Sequence, residues 1–502
     1  MSKKETGRLA SFLVFQIMVT VEGNALEHRD LWQDYNRRAC RREIKARAFA
    51  AFNTCIDAVV HVTDRLMEEI TAKDTSIDWQ QVARGSASEI NTVKSKEDLL
   101  IVLKDCLSGG KSFHIVLENL SLLDWLDEHF TGARESMGGQ AGIIANQLAA
   151  LGAQSMVYTP LLSPKQGRLF AEGITTPVVT EDGLKILPIP EAVRNDDETK
   201  INWIFEYAKG ESIRFGTEVV TTPRANRVIL ATRPAGAVMC FDDKLVEHLP
   251  QLGKEIDVAF MAGYHYAEPV NACGRTFDQF MADSVQHLHA LKEGNPKLAI
   301  HFEYVPMKAA ELEPRMLETI CREIKSFGIN ENEIKRVLRE FGFEAEMEEI
   351  ETHERAYSLY QGALRLFRRL ELDRIHVHNL GYYVMVLRKP YPVTPEEVRQ
   401  ACLYASSVNA MKAKYGGYVT REQLEEAAEM RLSDIGFEQL AGMAKELESS
   451  HPQAANLLTD GYLEFEDHYL LVVPAHVVPN PVSTVGMGDT ISSSSYAAEV
   501  AS

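Results

Sequence analysis

Short apolar runs alternate with longer stretches whose apolar residues recur at helical spacing. Ala48–Val60 reads as a strand ending in polar residues, and Met156–Tyr158, Glu255–Met261, Lys297–Tyr304, Arg374–Val377, Tyr382–Leu387 and Tyr469–Val473 read as further strands. Between them, Phe277–Lys292 and Glu311–Phe327 have helical periodicity, and Gly138–Leu151 reads as a glycine loop entering a helix with Ile144, Leu148 and Leu151 on one face. A helix from Thr394 carries its own signals: Thr394 at the N-cap, Pro395 in the first turn, Glu397 three residues on, and Gly416-Gly417 past its end. Such alternation predicts a mostly parallel sheet covered by helices on both faces. Two stretches, about 63–132 and 164–222, break the rhythm with turns, charges and short alternating segments such as Lys185–Pro190, Trp203–Tyr207 and Ile213–Val219. They predict a smaller, β-rich domain over 59–133 and 165–221, inserted into a large domain made of 1–58, 134–164 and 222–502. No internal repeat or low-complexity linker is present in the sequence.

Composition narrows the function classes. With 45 % apolar and 25 % charged residues over 502 positions, the chain has ample material for a large core. A formal charge of −19 argues against a general nucleic-acid surface while leaving room for a local basic pocket. The seven cysteines, at 40, 55, 106, 240, 273, 321 and 402, form no C-x-x-C pair and predict reduced thiols and a cytoplasmic location. Lys3, Lys4 and Arg8 before the apolar run Leu9–Val21 imitate a signal peptide, but Gln16 and Thr20 fall in the run and no clean cleavage site follows. The run is too short to cross a bilayer, so a buried strand or helix is expected there and no membrane partner.

Four local patterns carry chemistry. Ser483-Thr484-Val485-Gly486-Met487-Gly488-Asp489-Thr490 lies between the strand Tyr469–Val473 and a helix expected to begin at Asp489. Glycines there let backbone N–H groups converge on an anion at a helix N-terminus. Asp489 is then either a base for an incoming hydroxyl or an ordinary N-cap. In His301-Phe302-Glu303 the strand period places His301 and Glu303 on one face, where a buried carboxylate requires a cation or a hydrogen-bond network. Gly328–Glu333 opens a helix with a cluster of oxygen ligands suited to Mg²⁺ completed by water and phosphate, or to plain surface pairing. Met137–Gly142 is a glycine-rich turn without dinucleotide spacing, and Asn53 and Asp57 are turn formers or binders of sugar hydroxyls.

Together, Asn53/Asp57, Gly138–Gly142, His301-x-Glu303, Asn330-x-x-Glu333, His376-x-His378 and Ser483–Asp489, in this order, resemble the ADP-dependent sugar kinases of archaea, glucokinase and phosphofructokinase, of the ribokinase-like superfamily. The resemblance implies an α/β chain: a ribokinase-like three-layer α/β/α domain and a smaller β-rich lid, with the sugar between them. It implies Asp489 as catalytic base, an anion hole from Val485 to Gly488 with Gly486 and Gly488 at its turn, and Mg²⁺ held by Glu303, Glu333 and Asp489. Asn330, His378, Asn379 and Gly488 would meet the nucleotide and Val478 its adenine, although the family often has Thr where Asn379 stands. Asn53, Asp57, Gly139 and Gln140 would hold the sugar.

The acceptor divides the family. The stretch Gly110–Val116, where its glucokinases carry a glutamate, has none; Glu118 lies just beyond, and a sugar-binding histidine is replaced by Asn202. Lys185 and Arg227, with Arg224 nearby, are cations suited to a substrate phosphate. The expected function is transfer of a phosphoryl group from ADP to fructose 6-phosphate, leaving AMP. Glucokinase or bifunctional activity, an ATP-using ribokinase-like enzyme and a catalytically silent member are the alternatives. The expected partners are ADP/AMP and a sugar or sugar phosphate, in a monomer or dimer.

Overall fold

The computed structural model describes residues 28–271 and 274–500, so Leu9–Val21 and Cys273 lie outside the described residues. The chain divides into two compact units: one of residues through Ala50, Ile144–Met156 and from Asp243 onward, the other of Ala51–Ile143 and Val157–Asp242.

The larger unit is built on a sheet whose strands run in the order Tyr462–Glu464, His468–Pro474, Tyr382–Arg388, Arg374–Asn379, Lys325–Asn330, Ala299–Glu303, Val258–Ala262, Arg47–Phe52 and Gln154–Tyr158, with the hairpin strands Thr175–Thr180 and Gly183–Pro188 following at that edge although the sequence placed them in the smaller domain. Its centre, from Val258–Ala262 to Arg374–Asn379, is parallel, and the far edge turns antiparallel. Val258–Ala262 is buried throughout, as expected of a strand covered on both faces. Polar residues interrupt that pattern on a single face: Glu303, Ser326, Arg374, His376 and His378 are all buried. Helix Met487–Val500 packs over this face, against the strands bearing these residues, and beside helix Pro395–Tyr415. The latter is capped by Thr394 and Gly416 as its sequence requires.

The smaller unit holds a second sheet, ordered Thr92–Val93, Phe113–Leu117, Asn226–Thr232, Ile201–Tyr207, Cys55–His61 and Arg134–Gly138. Alternation gives it two unlike faces. Ile56, Ala58, Val60, Ile115, Leu117, Trp203, Phe205, Val228 and Leu230 form a core with the apolar side of helix Lys96–Gly109. The opposite face carries Asp57, Ser136, Asn202, His114 and Arg227, half-buried or exposed.

Three expectations change. The Ala48–Val60 run is two strands, Arg47–Phe52 and Cys55–His61, parted at Asn53-Thr54, and each joins a different sheet. With Arg134–Gly138 and Asn226–Thr232 also in the second sheet, the smaller unit extends beyond 59–133 and 165–221: Arg134–Gly138 pairs with Cys55–His61, and Val228 and Leu230 pack into the core. The Glu311–Phe327 helix ends at Ile324: Lys325 takes a left-handed φ of 68°, and Lys325–Asn330 pairs between two parallel strands instead. None of the six described cysteines is disulfide-bonded, and no described helix is long and apolar enough to cross a membrane.

Candidate functional site

In the larger unit, helix Met487–Val500 starts two residues earlier than its sequence suggested, so Asp489 stands inside the first turn. Gly486 takes a φ of 65°, and its carbonyl accepts from Thr490 N at 3.0 Å, closing that turn. A Cβ at Gly488 would sit 3.2 Å from His378 Cε1 and 3.3 Å from Glu303 Oε1, so glycine lets the helix start approach this pair.

Glu303 is held by two imidazoles: His378 Nε2 lies 2.7 Å from its Oε1 and His301 Nε2 3.3 Å from its Oε2. Burial alone would raise this carboxyl; the charge of His378 and the hydrogen bonds of both rings override it and hold Glu303 at about 2. His301 is lowered by burial. His378 would be lowered by burial too, but the charge and hydrogen bond of Glu303 raise it. His376, between them on the strand face, is wholly buried, neither of its ring nitrogens has a hydrogen-bond partner among the described residues, and burial pushes it down.

Asn330 and Glu333 close a reciprocal cap at the start of helix Glu331–Glu340. Asn330 Oδ1 accepts from Asn332 N and Glu333 N, each at 2.9 Å, while Glu333 Oε2 accepts from Asn330 N at 3.0 Å. Burial, with the negative charges of Glu303 and Asp489, raises the Glu333 carboxyl to about 7. Asp489 also acts electrostatically on Lys412, a buried lysine whose Nζ donates to Gly417 O at 3.1 Å.

These elements open on a cavity of about 400 Å³. Asn330, His378, Asn379, Val478 and Gly488, five residues from four separate segments, all line it. Asn379 is held in place by Tyr382 OH, to which its Nδ2 donates at 2.8 Å. Beside Glu331 and Thr484, which belong to the helix-start and glycine-turn motifs, Tyr383, Asn409 and His476 add to the polar lining. Nothing local marked them: Asn409 lies on an almost wholly buried helix and acquires a cavity only through the strands opposite.

In the smaller unit, Asp57 pairs in register with Asn202 on one side and Ser136 on the other. Asn202 Nδ2 donates to Asp57 Oδ1 at 2.9 Å, and Cys55 Sγ lies 3.6 Å from the same oxygen. Burial raises Asp57, against the nearby charges of Lys200 and Arg227. Asn53 accepts from the Lys200 ammonium at 2.8 Å, and its carbonyl accepts from Ala141 N at 3.0 Å. Gly139 takes a φ of 72° beneath that carbonyl, where a Cβ would lie 2.5 Å from Asn53 O; Gln140 beside it is buried. Asn53, Asp57, Gly139, Gln140 and Asn202 thus belong to one neighbourhood, with Arg227 further along the same sheet face. Lys185 lies in the hairpin Thr175–Pro188, 2.7 Å from Asp182. Glu118 is tied to Thr92 and, at 3.3 Å, to Lys94. Lys200, the buried cation of this neighbourhood, was not singled out from the sequence. Its only mark is its place directly before an alternating strand.

Comparison with known proteins gives the family. The architecture and the glycine turn ahead of an aspartate define a ribokinase-like α/β fold carrying a smaller β-rich unit. The family model described as the ADP-specific phosphofructokinase/glucokinase conserved region matches residues 46–498, and the chain belongs to that family. An ADP-specific phosphofructokinase of Methanosarcina acetivorans is 30 % identical over 459 residues, covering 90 % of this chain and 93 % of that protein. An ADP-dependent glucose/glucosamine kinase of Pyrococcus furiosus is 25 % identical, covering 93 % of this chain and 98 % of that protein. Among solved structures, the last common ancestor of ADP-dependent phosphofructokinases from Methanosarcinales superimposes with a TM-score of 0.85 at 30 % identity, over 96 % of this chain and 99 % of that one. An ADP-dependent kinase in complex with fructose 6-phosphate and ADPβS gives 0.74 at 29 % identity, over 95 % and 98 %.

Proposed function

We propose that this chain transfers the terminal phosphoryl group of ADP to fructose 6-phosphate, giving AMP and fructose 1,6-bisphosphate. The observation that carries the reading is the convergence of Asn330, His378, Asn379, Val478 and Gly488 on one cavity beside the Gly486–Asp489 turn. Phosphoryl transfer demands placement and charge neutralisation rather than covalent chemistry. The backbone from Val485 to Gly488 offers N–H groups at a helix start, His378 an imidazole on the cavity wall whose protonated form Glu303 favours, and Asp489 a carboxylate to take the acceptor's proton.

Among the described residues no three His, Cys, Asp or Glu side chains are arranged as a ready metal site, so a divalent cation here would be completed by water and phosphate oxygens. Burial first, and then the negative charges of Glu303 and Asp489, raises Glu333 to about 7, and a nearby cation would offset those charges. Glu333 and Asp489 would hold Mg²⁺, with Glu303, whose oxygens already accept from two imidazoles, acting through water. When bound, the metal offsets charge on the phosphoryl oxygens.

The acceptor reading rests on the smaller unit. Asp57, Asn202, Asn53 and Gln140 suit sugar hydroxyls, while Lys200 and Arg227 are the cations whose charge reaches Asp57 and suit a sugar phosphate. Lys185, paired with Asp182 in a separate hairpin, gives way to Lys200 in this role. Glu118 is committed to Thr92 and Lys94, which disfavours a glucose-specific carboxylate. A coupled assay of AMP formation with ADP against fructose 6-phosphate and glucose tests the reading: fructose 6-phosphate should be turned over far more efficiently. Efficient use of glucose alone would make the chain a glucokinase, and activity with ATP but not ADP would overturn the donor.

A further inference from the structure

A buried chain of side chains crosses the larger sheet beneath helix Met487–Val500. At one end is Glu499, 1 % exposed; its Oε2 accepts from Arg374 Nε at 3.1 Å and its Oε1 from the Tyr391 hydroxyl. Arg374, equally buried, donates through Nη2 to Ser495 Oγ at 3.0 Å and, at the longer distance of 3.5 Å, through Nη1 to Ser326 Oγ. Ser326 Oγ lies 2.9 Å from His301 Nδ1, and His301 in turn holds Glu303, which holds His378 on the cavity wall. The register builds the chain: His301 pairs with Ser326 and Ser326 with Arg374 across adjacent parallel strands, so the three side chains share a face.

A buried guanidinium–carboxylate pair is weak evidence for stability, since apolar residues of like volume often serve as well. What the pair supplies here is a donor to Ser326 Oγ, which has Tyr496 as a further partner. The direction comes from the other end: the Glu303 carboxylate only accepts, so His301 donates to it through Nε2 and its Nδ1 is left for the Ser326 proton. With Nδ1 accepting, the imidazole carries its proton on Nε2, the atom that faces Glu303 Oε2. Both Glu303 oxygens are then hydrogen-bonded and its carboxylate plane is set.

We propose that Ser326, backed by the Arg374–Glu499 pair, positions Glu303 and His378 by holding His301 in its Nε2–H form. The inference rests on the cavity being the nucleotide site. None of the three touches substrate; they are positioning residues.

Three variants test it: Ser326→Ala, Ser326→Thr, and the double variant Arg374→Met/Glu499→Leu, which removes both buried charges together. Nitrogen-15 NMR of the ring nitrogens, assigned by loss of signal in His301→Asn, needs no substrate and so stands apart from any failure of the proposed reaction. The parent should show a single Nε2–H tautomer at His301, and Ser326→Ala a mixture. In kinetics, Ser326→Ala should lower kcat about tenfold, the lower end expected for a lost outer-shell partner, with KM for ADP and sugar within about twofold. Ser326→Thr, which keeps the hydroxyl, should restore it, and the double variant should fold and share the kcat defect. An unchanged single tautomer in Ser326→Ala, or a folded double variant with parental kcat, would overturn the proposal.

Discussion

Asp489 stands in the first helical turn, flanked by the charges of Glu333 and Lys412, and is the carboxylate to which the proposed reaction gives the acceptor's proton. Asp489→Asn keeps its shape, so kcat should fall about a hundredfold or more while ADP affinity, read by calorimetry, stays within a few fold. Unchanged turnover would remove Asp489 from the mechanism. Glu333→Gln retains an acceptor for Asn330 N and removes only charge. The Mg²⁺ concentration for half-maximal activity should rise while the sugar KM holds, and identical Mg²⁺ saturation would leave Glu333 as a cap and nothing more. For the acceptor, Lys200→Met and Arg227→Ala should each raise the fructose 6-phosphate KM about ten- to a hundredfold, the equivalent of about 1.5–3 kcal/mol for a charge-assisted hydrogen bond. The ADP KM should not move, and Lys185→Ala should match the parent. Loss of sugar affinity in Lys185→Ala alone would reverse that choice. Of the cavity residues, Asn330 and Gly488 were legible because each sits at a helix start or turn that the local pattern marks; His378, Asn379 and Val478 came only with the family resemblance, and Tyr383, Asn409 and His476 not at all. Lys200 and Lys185 were not separable, because a lysine's burial is set by strands more than a hundred residues away, here through Asn53.

Among elements, the boundaries written in local chemistry were readable. The Thr394–Gly416 helix follows from its caps, and the glycine turn before Gln140 from the space its backbone needs. The strand Lys325–Asn330 was hidden inside a helical pattern because pairing with two parallel neighbours, rather than propensity, decides its state. The break at Asn53-Thr54 was hidden for a like reason: both halves are apolar, and only their partners differ. The Gly139 turn gives a sharp test at this scale. Gly139→Ala forces a side chain into a left-handed conformation, 2.5 Å from Asn53 O. Denaturant unfolding should show a loss on the order of 1–3 kcal/mol, the range for such strain. Because Asn53 also meets Lys200, sugar KM should rise with it. An unchanged unfolding midpoint would show that the turn relaxes and that glycine is dispensable there.

At the scale of the whole molecule, each unit has its own core and its own polar face, and the proposed reaction assigns the nucleotide to one and the sugar phosphate to the other. The alternation of strands and helices announced the larger sheet, and the break in that rhythm announced the smaller one. The share of chain belonging to each came only with the packing. An overall charge of −19 makes local cations decisive for an anionic acceptor. The acceptor and donor together are therefore the central claim, and one measurement addresses both: AMP formation by the purified chain with Mg²⁺, comparing ADP with ATP as donor and fructose 6-phosphate with glucose as acceptor. The account predicts turnover with ADP and fructose 6-phosphate, kcat/KM at least tenfold lower with glucose, and none above background with ATP. Efficient phosphorylation of glucose with fructose 6-phosphate ignored, or dependence on ATP, would contradict it.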